Sequence, residues 1–241
     1  MRTSPLPRSF WSRSVARVVG KVFGGTCYLC RGASSGAICA DCRAEMPSLS
    51  RPRCPRCALP NDRGALCGRC LGDPPAYDAT CAAFAYAFPA DVLVQGLKFR
   101  GELGLAPLLA ACLQTEIPRE AGNEVDVLMP VPLHDLRLRE RGFNHSLEIA
   151  RPISAAFGLP LDALACERVR NTEPQLGLPW KARRENMRGA FSCRKGLEGK
   201  RVAVIDDVMT TGATLNEMAA TLKRFGATRV VNWVVARTPP D

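Results

Sequence analysis

Val202-Ala-Val-Ile-Asp-Asp-Val-Met-Thr-Thr-Gly-Ala-Thr214 decides the reading of this chain. An apolar β-branched run ends in Asp206 and Asp207. A hydroxyl-rich turn follows, and an amphipathic helical pattern opens at Ala213 and stops at Gly226. A loop that enters a helix offers unpaired N–H groups and the positive end of the helix dipole, which together favour an anion. Gly212 lets the backbone come close to that anion, and Thr210, Thr211 and Thr214 add hydroxyl donors. Two adjacent carboxylates would repel the same anion. They must therefore meet another part of the ligand: ribose hydroxyls, or a Mg²⁺ held by them. The Lys of a P-loop is absent, which argues against a nucleotide triphosphatase. A capped helix after a buried strand would explain the threonines and the glycine, but not the paired acids.

Outward from this stretch, residues 80–241 alternate short strands with helices. Strands are expected at 81–88, 125–132, 163–169, 201–208 and 229–237. Helices are expected at 91–99, 103–115, 143–158 and 213–227, with Pro152 a kink point in the third. Residues 181–191 read as a basic helix or loop. Helices between apolar strands predict an α/β fold: an open parallel sheet with helices on both faces. Such a sheet binds its ligand at the carboxyl ends of its strands.

Upstream the composition changes. Of 12 cysteines, eight fall in four C-x-x-C pairs: Cys27/Cys30, Cys39/Cys42, Cys54/Cys57 and Cys67/Cys70. Each pair can aim two thiolates at one metal ion, and two pairs complete a tetrahedral Zn²⁺ site. Four pairs can close two structural sites, sequentially or crossed, and four thiolates leave no position open for water. The segment holds too few large apolar residues to fold without metal. Cys81, Cys112, Cys166 and Cys193 read as small buried hydrophobes. Residues 27–72 thus form a small Cys-rich module, Gly72-Asp73-Pro74-Pro75 a linker, and residues 1–26 a basic amphipathic lead. That lead could mimic a transit peptide but lacks a secretory signature, so a reducing cytoplasm is the expected location. No apolar run approaches the roughly 18–20 residues of a membrane helix.

The formal net charge is +10. Residues 1–80 carry 12 Lys and Arg against 5 Asp and Glu, and the remaining residues 21 against 18. A basic first third on a near-neutral body suits an anionic partner, nucleic acid before lipid. An Arg-rich solubilising surface explains the same count. Arg31, Arg43, Arg51, Arg53, Arg56, Arg63 and Arg69 decorate the Cys module and could track phosphates.

Two acids followed by T-T-G-A-T resemble the phosphoribosyl-pyrophosphate (PRPP) loop of type I phosphoribosyltransferases. Further stretches extend the likeness: Met129-Pro130-Val131-Pro132-Leu133-His134, the run from Arg137 to Ser146, LKFRG at 97–101 and RREN at 183–186. With the cysteine module they resemble the ComF family. That family joins a zinc ribbon to a phosphoribosyltransferase-like domain and is linked to uptake of transforming DNA. The resemblance implies a PRPP site built from Pro130, Val131, Pro132, Asn144, Asp206, Asp207, Thr210, Thr211, Gly212, Ala213 and Thr214. It implies Asp206, Asp207, Arg139 and Arg141 as catalytic, the last two with Asn144 on a mobile segment over the site. It implies Mg²⁺ travelling with PRPP, single-stranded DNA as a further ligand, and the DNA-uptake machinery as partners.

The family usually has Gln where this chain has His145, which reads as a surface or packing histidine. Lys98 and Arg184 could reach an anion, although lone cations are usually solvated. The chain also resembles the synthase half of glutamine amidophosphoribosyltransferase. No nucleophile-cysteine domain precedes the zinc module, so glutamine hydrolysis is not expected. Two classes of function remain. One is a Mg²⁺-dependent transferase that displaces pyrophosphate from PRPP. The other is a non-catalytic PRPP-fold module that binds single-stranded DNA through its basic zinc ribbon. No stretch names an acceptor. A pure zinc-scaffold adaptor would leave the acids and T-T-G-A-T without a role.

Overall fold

The computed structural model describes residues 25–171 and 185–239. The basic lead, apart from its last two residues, and residues 181–184 of the basic segment lie outside the described residues. Four strands form one parallel sheet: β1 (Ala79–Ala85), β2 (Val127–Pro130), β5 (Arg201–Met209) and β6 (Arg229–Arg237), in the order β1-β6-β5-β2. The central strands β5 and β6 are apolar on both faces because both faces are covered. Val202, Val204, Val230 and Val234 point to one face, and Ala203, Ile205, Val231, Trp233 and Val235 to the other.

Helices α3 (Ala90–Arg100), α4 (Leu105–Gln114) and α6 (His145–Phe157) pack on the Trp233 face, burying Leu93, Leu97, Leu108, Leu109, Ile149 and Ile153. Helix α7 (Ala213–Arg224) covers the opposite face with Leu215, Met218, Ala219 and Leu222. This is the open parallel sheet with helices on both faces that the sequence predicts. Helix α6 runs through Pro152 and stops at Gly158, whose φ of 64° is the left-handed conformation of a helix C-cap. Among the described residues no helix is long and apolar enough to cross a membrane.

One expectation is corrected. The strand expected at 163–169 shrinks to β3 (Cys166–Arg168). It leaves the main sheet to pair antiparallel with β4 (Phe191–Cys193), which the sequence did not distinguish from the basic segment before it. Three-residue strands carry too little alternation to be assigned to a sheet. The segment from Arg137 to Arg141 is helical: α5 (Asp135–Arg141) starts at a His134 cap and ends at Gly142, φ 78°.

The cysteine module, with the short helices α1 (Ala40–Ala44) and α2 (Gly68–Gly72), is packed onto the sheet domain. Its first half joins the core under α3 and α4 through Cys27, Tyr28, Ala37 and Ile38. Its second half joins the opposite core through Cys54, Cys57, Ala58 and Cys70. Between them the module covers the outer edge of β1. Ser48 bridges Phe84, Ala85 N donates to Pro47 O at 2.9 Å, and Thr80 N donates to Pro55 O at 3.1 Å. An otherwise open edge strand is thereby paired. The other edge, β2, is paired by Leu128 N donating to Pro160 O at 2.8 Å.

Candidate phosphoribosyl site and paired metal centres

Strand β5 carries Asp206 and Asp207 to its carboxyl end, where both residues are buried, at 8% and 3% exposure. Two buried carboxylates need compensation. Helix α6 begins directly opposite. Asn144 caps it by accepting from Ser146 N at 3.0 Å, while its amide donates to Val131 O at 3.0 Å. Capping therefore ties the β2 loop of Pro130, Val131 and Pro132 to the helix that faces the acids. From that first turn Ser146 Oγ donates to Asp206 Oδ1 at 3.0 Å, and His145 Nε2 lies 3.5 Å from Asp207 Oδ2. From α3, Lys98 Nζ reaches Asp207 Oδ2 at 2.7 Å.

The proton on His145 follows from its partners. Arg141, which has no acceptor, donates to Nδ1 at 2.8 Å, so the ring proton sits on Nε2 and faces Asp207. Burial holds the imidazole below its ordinary pKa, partly offset by Asp207. Burial pulls Lys98 down as well, but Asp207 and Asp206 outweigh it and the ammonium titrates above its usual value. The two acids split. Burial would raise Asp207, yet Lys98 and His145 hold it well below the ordinary carboxylate range. Burial, and then the charge of Asp207, push Asp206 up to about 7. The pair thus carries about one charge below neutral pH, and Lys98 matches it.

Three further groups complete the surroundings. Arg141 lies over the Phe99 ring, 5.5 Å from its centroid, while Arg139 on the same helix is exposed. Arg168 of β3 is close enough to feel the Asp206 charge, and its guanidinium is lowered by burial. The loop after β5 turns at Gly212 with φ 83°, and a Cβ there would meet Met209 Cε at 2.7 Å and Tyr77 Oη at 3.1 Å. Only glycine fits this turn. Thr211 Oγ1 accepts from Ala213 N at 3.3 Å, Thr210 is exposed, and Thr214 stands in the first turn of α7. A small cavity beside the turn is lined by Thr211, Gly212, Ala213, Asn216, Tyr77 and Arg69.

The structure therefore brings the β2 loop, Asn144, the acids, Arg141 and the T-T-G-A-T turn to one sheet edge. Of the two places the sequence allows His145, surface or packing, the structure takes the second, with the ring buried against Asp207. It departs from the sequence reading at Lys98, whose ammonium is paired rather than solvated. Ser146 and Arg168 join the site with no local signal in the sequence. Arg183 and Arg184 lie outside the described residues.

The cysteines form two groups in chain order, Cys27/Cys30/Cys39/Cys42 and Cys54/Cys57/Cys67/Cys70, each with its four sulfurs within 4.8 Å of one another. The crossed pairing does not occur. Backbone N–H groups point at the sulfurs, as thiolates require: Cys39 N to Cys27 Sγ at 3.3 Å and Cys67 N to Cys54 Sγ at 3.4 Å. Burial would raise the thiols, but backbone N–H groups, led by Cys30 and then Cys39 at Cys27 and by Cys67 at Cys54, hold Cys27 at about 6 and Cys54 at about 7. The turns are tight enough to force Arg31 and Ala58 to positive φ, 62° and 58°. The donor set, count and spacing fit two structural zinc ions.

A parallel sheet with this strand-end loop, carrying two Cys₄ clusters, defines a phosphoribosyltransferase-fold protein with a double zinc ribbon. Residues 18–71 match the double zinc ribbon domain and residues 128–240 the phosphoribosyl transferase domain. The chain is 36% identical over 223 residues to the DNA utilization protein YhgH of Salmonella typhimurium, covering 89% of this chain and 97% of that protein. It is 31% identical over 227 residues to Competence protein F of Haemophilus influenzae, covering 89% and 98%. A purine phosphoribosyltransferase of Pyrococcus horikoshii aligns at 22% identity over 55% of this chain and 83% of that one, with a TM-score of 0.35. The chain belongs to the ComF family.

Two outcomes follow from this geometry. Protein purified reduced and without chelator should contain about two zinc ions per chain by elemental analysis; none would refute the clusters as metal sites. Asp206→Asn keeps the Oδ1 acceptor and removes a charge that burial disfavours. Because the folded pKa lies above the unfolded one, Asp206 costs stability as pH rises from about 4 to about 7, and the cost is constant above that. The variant should be more stable at pH 8, by on the order of 2–4 kcal/mol, with a smaller gain at pH 5. Calorimetric melting at the two pH values checks it.

Proposed function

We propose that this protein binds PRPP at the carboxyl edge of β5 and β2 and serves as a phosphoribosyltransferase-like component of DNA uptake and use. The observation that carries the reading is the buried acid pair set one turn before the Gly212 loop. A simple capped helix needs the loop but not the acids. In this reading the amides and hydroxyls of Thr210, Thr211, Gly212, Ala213 and Thr214 hold the 5′-phosphate. Asp206 and Asp207 accept hydrogen bonds from ribose hydroxyls. The loop of Pro130, Val131 and Pro132, fixed by Asn144, meets the pyrophosphate, and Arg139 and Arg141 supply cations to it.

Lys98 and His145 already balance Asp207, so a divalent cation gains little from the acid pair. Magnesium would instead be carried by the pyrophosphate oxygens, where it would neutralise the leaving group. Reaction would displace pyrophosphate at C1 of the ribose through an oxocarbenium-like centre, which the one retained negative charge of Asp207 favours electrostatically. The protein's own work is to bind, orient and supply charge. The arrangement names no acceptor.

The second reading, a module for single-stranded DNA, draws on the basic surface of the zinc ribbons and on the relatives named for DNA utilization and competence. Not every arginine there is available. Arg53 donates to Ala82 O at 3.0 Å, and both it and Arg51 pair with Glu116. Arg31 and Arg63 are exposed.

Calorimetry with PRPP and Mg²⁺ tests the first reading. Wild-type protein should bind, and Asp206→Asn and Thr211→Val should each weaken binding by at least about tenfold, about 1.4 kcal/mol, while staying folded. Alanine at 207 is a poor probe, because it strands the Lys98 charge in a buried site. No binding by the wild type would end this reading. For the second, Arg31→Glu with Arg63→Glu should weaken binding of a single-stranded oligonucleotide. The double variant should also flatten the slope of log K on log salt by about 1.4, at about 0.7 per lost phosphate contact. Fluorescence anisotropy across a salt series reads both, and an unchanged slope would place DNA elsewhere.

A further inference from the structure

Arg237, the last residue of β6, is 1% exposed, and its hydrogen bonds go to four backbone carbonyls. Nε donates to Cys57 O at 2.9 Å, and the two protons of one terminal nitrogen are shared among three carbonyls, Met209 O at 2.8 Å, Thr238 O at 2.9 Å and Thr210 O. A buried guanidinium whose partners among the described residues are carbonyls is costly wherever any of those acceptors is lost. Two of the four, Met209 and Thr210, are the entry to the Gly212 turn. A third, Cys57, belongs to the second cysteine cluster. Its carbonyl sits in the knuckle that also strains Ala58 to φ 58° and bonds Ala58 N to Cys54 O at 2.9 Å. A metal ion pulling four sulfurs together is what holds such a knuckle in shape.

A second line of contact runs alongside. Tyr77, 3% exposed, packs its hydroxyl against Gly212, and the cavity at the turn is walled on one side by Arg69 and Cys70. Among the described residues, the first cluster has no such contact with the turn. It faces α3, where Tyr28 Oη accepts from Arg100 at 2.6 Å and Gly96 leaves room for the tyrosine.

We propose that Arg237 is a positioning residue that couples the metal state of the second cysteine cluster to the phosphate-binding shape of the 209–212 turn. The proposal rests on the phosphoribosyl reading for what the turn binds, but not for the coupling itself. Coupling of this kind is reciprocal. Zinc in the second cluster orders the turn, and a ligand on the turn slows zinc loss from that cluster. The zinc ribbon is then part of the ligand site's control, beyond its role as a scaffold.

The test is hydrogen exchange on the full chain, which needs no ligand. Stepwise withdrawal of zinc from the wild type, and Cys67→Ser in the second cluster, should speed exchange of the amides of 208–214 by about tenfold or more. Cys39→Ser in the first cluster should leave those amides alone. Arg237→Lys keeps the charge but cannot span Cys57 and Met209 as a planar fork does. It should speed the same amides with about two zinc ions still bound and with the amides of residues 201–207 in β5 still protected. Unchanged turn exchange in zinc-replete Arg237→Lys overturns the proposal, including the case where Cys67→Ser fails to fold. A ligand arm separates the two readings. PRPP should slow transfer of one of the two zinc ions to a coloured chelator in the wild type, and not in Arg237→Lys. If PRPP does not bind at all, the phosphoribosyl reading fails while the exchange result still decides the coupling.

Discussion

Two neighbouring carboxylates buried at the end of one strand set the terms for everything around them. Their mutual repulsion and lost hydration must be met locally, and the protein meets them by splitting the pair. Asp207 keeps its charge because Lys98 and His145 face it. Asp206 gives up its charge near neutral pH and takes hydroxyl and backbone donors instead. This requires α3 and α6 to arrive at fixed heights over the sheet, since each contributes one or two specific residues. The dense packing of Leu93, Leu97, Ile149 and Ile153 against Ile205 and Trp233 fixes those heights.

The two zinc ribbons complete this arrangement from either side of the sheet. One braces α3, the helix that bears Lys98, through Tyr28 and Arg100. The other braces the turn that follows the acids, through Arg237 and Tyr77. Glu116, at the end of α4, receives Arg51 and Arg53 from the stretch that leads into the second ribbon. The module therefore covers the β1 edge, and through its two halves it reaches both walls of the candidate site.

That placement changes how the basic residues are read. Arginines that look alike in the sequence divide into those spent on structure, such as Arg53, Arg100 and Arg237, and those left at the surface, such as Arg31 and Arg63. A net charge gives no hint of this division. Charge left at the surface for an anionic partner comes from the second group.

The sequence by itself determined the features whose signals are local. The apolar runs of β5 and β6, the amphipathic α7, the glycine turn with its threonines, and the four C-x-x-C pairs all lie within spans of about a dozen residues. At that range hydrophobic period, turn chemistry and ligand spacing act directly. Those signals were enough for the parallel α/β sheet, the zinc module and the acid pair. The tertiary structure alone decided which cysteine pairs share a metal, that His145 is a buried partner of Asp207, and that the run from Arg137 to Arg141 is a helix. It also chose the partners that make the acids tolerable. Ser146 comes from 60 residues before Asp206 and Lys98 from 109 residues before Asp207; in the same way, Arg237 meets the Cys57 carbonyl from 180 residues further along. A lone serine, lysine or arginine carries no mark of its partner in the sequence. Each became a site residue only because folding removed water from both members of a pair, which leaves a buried charge or carbonyl to be satisfied by whichever group the packing delivers.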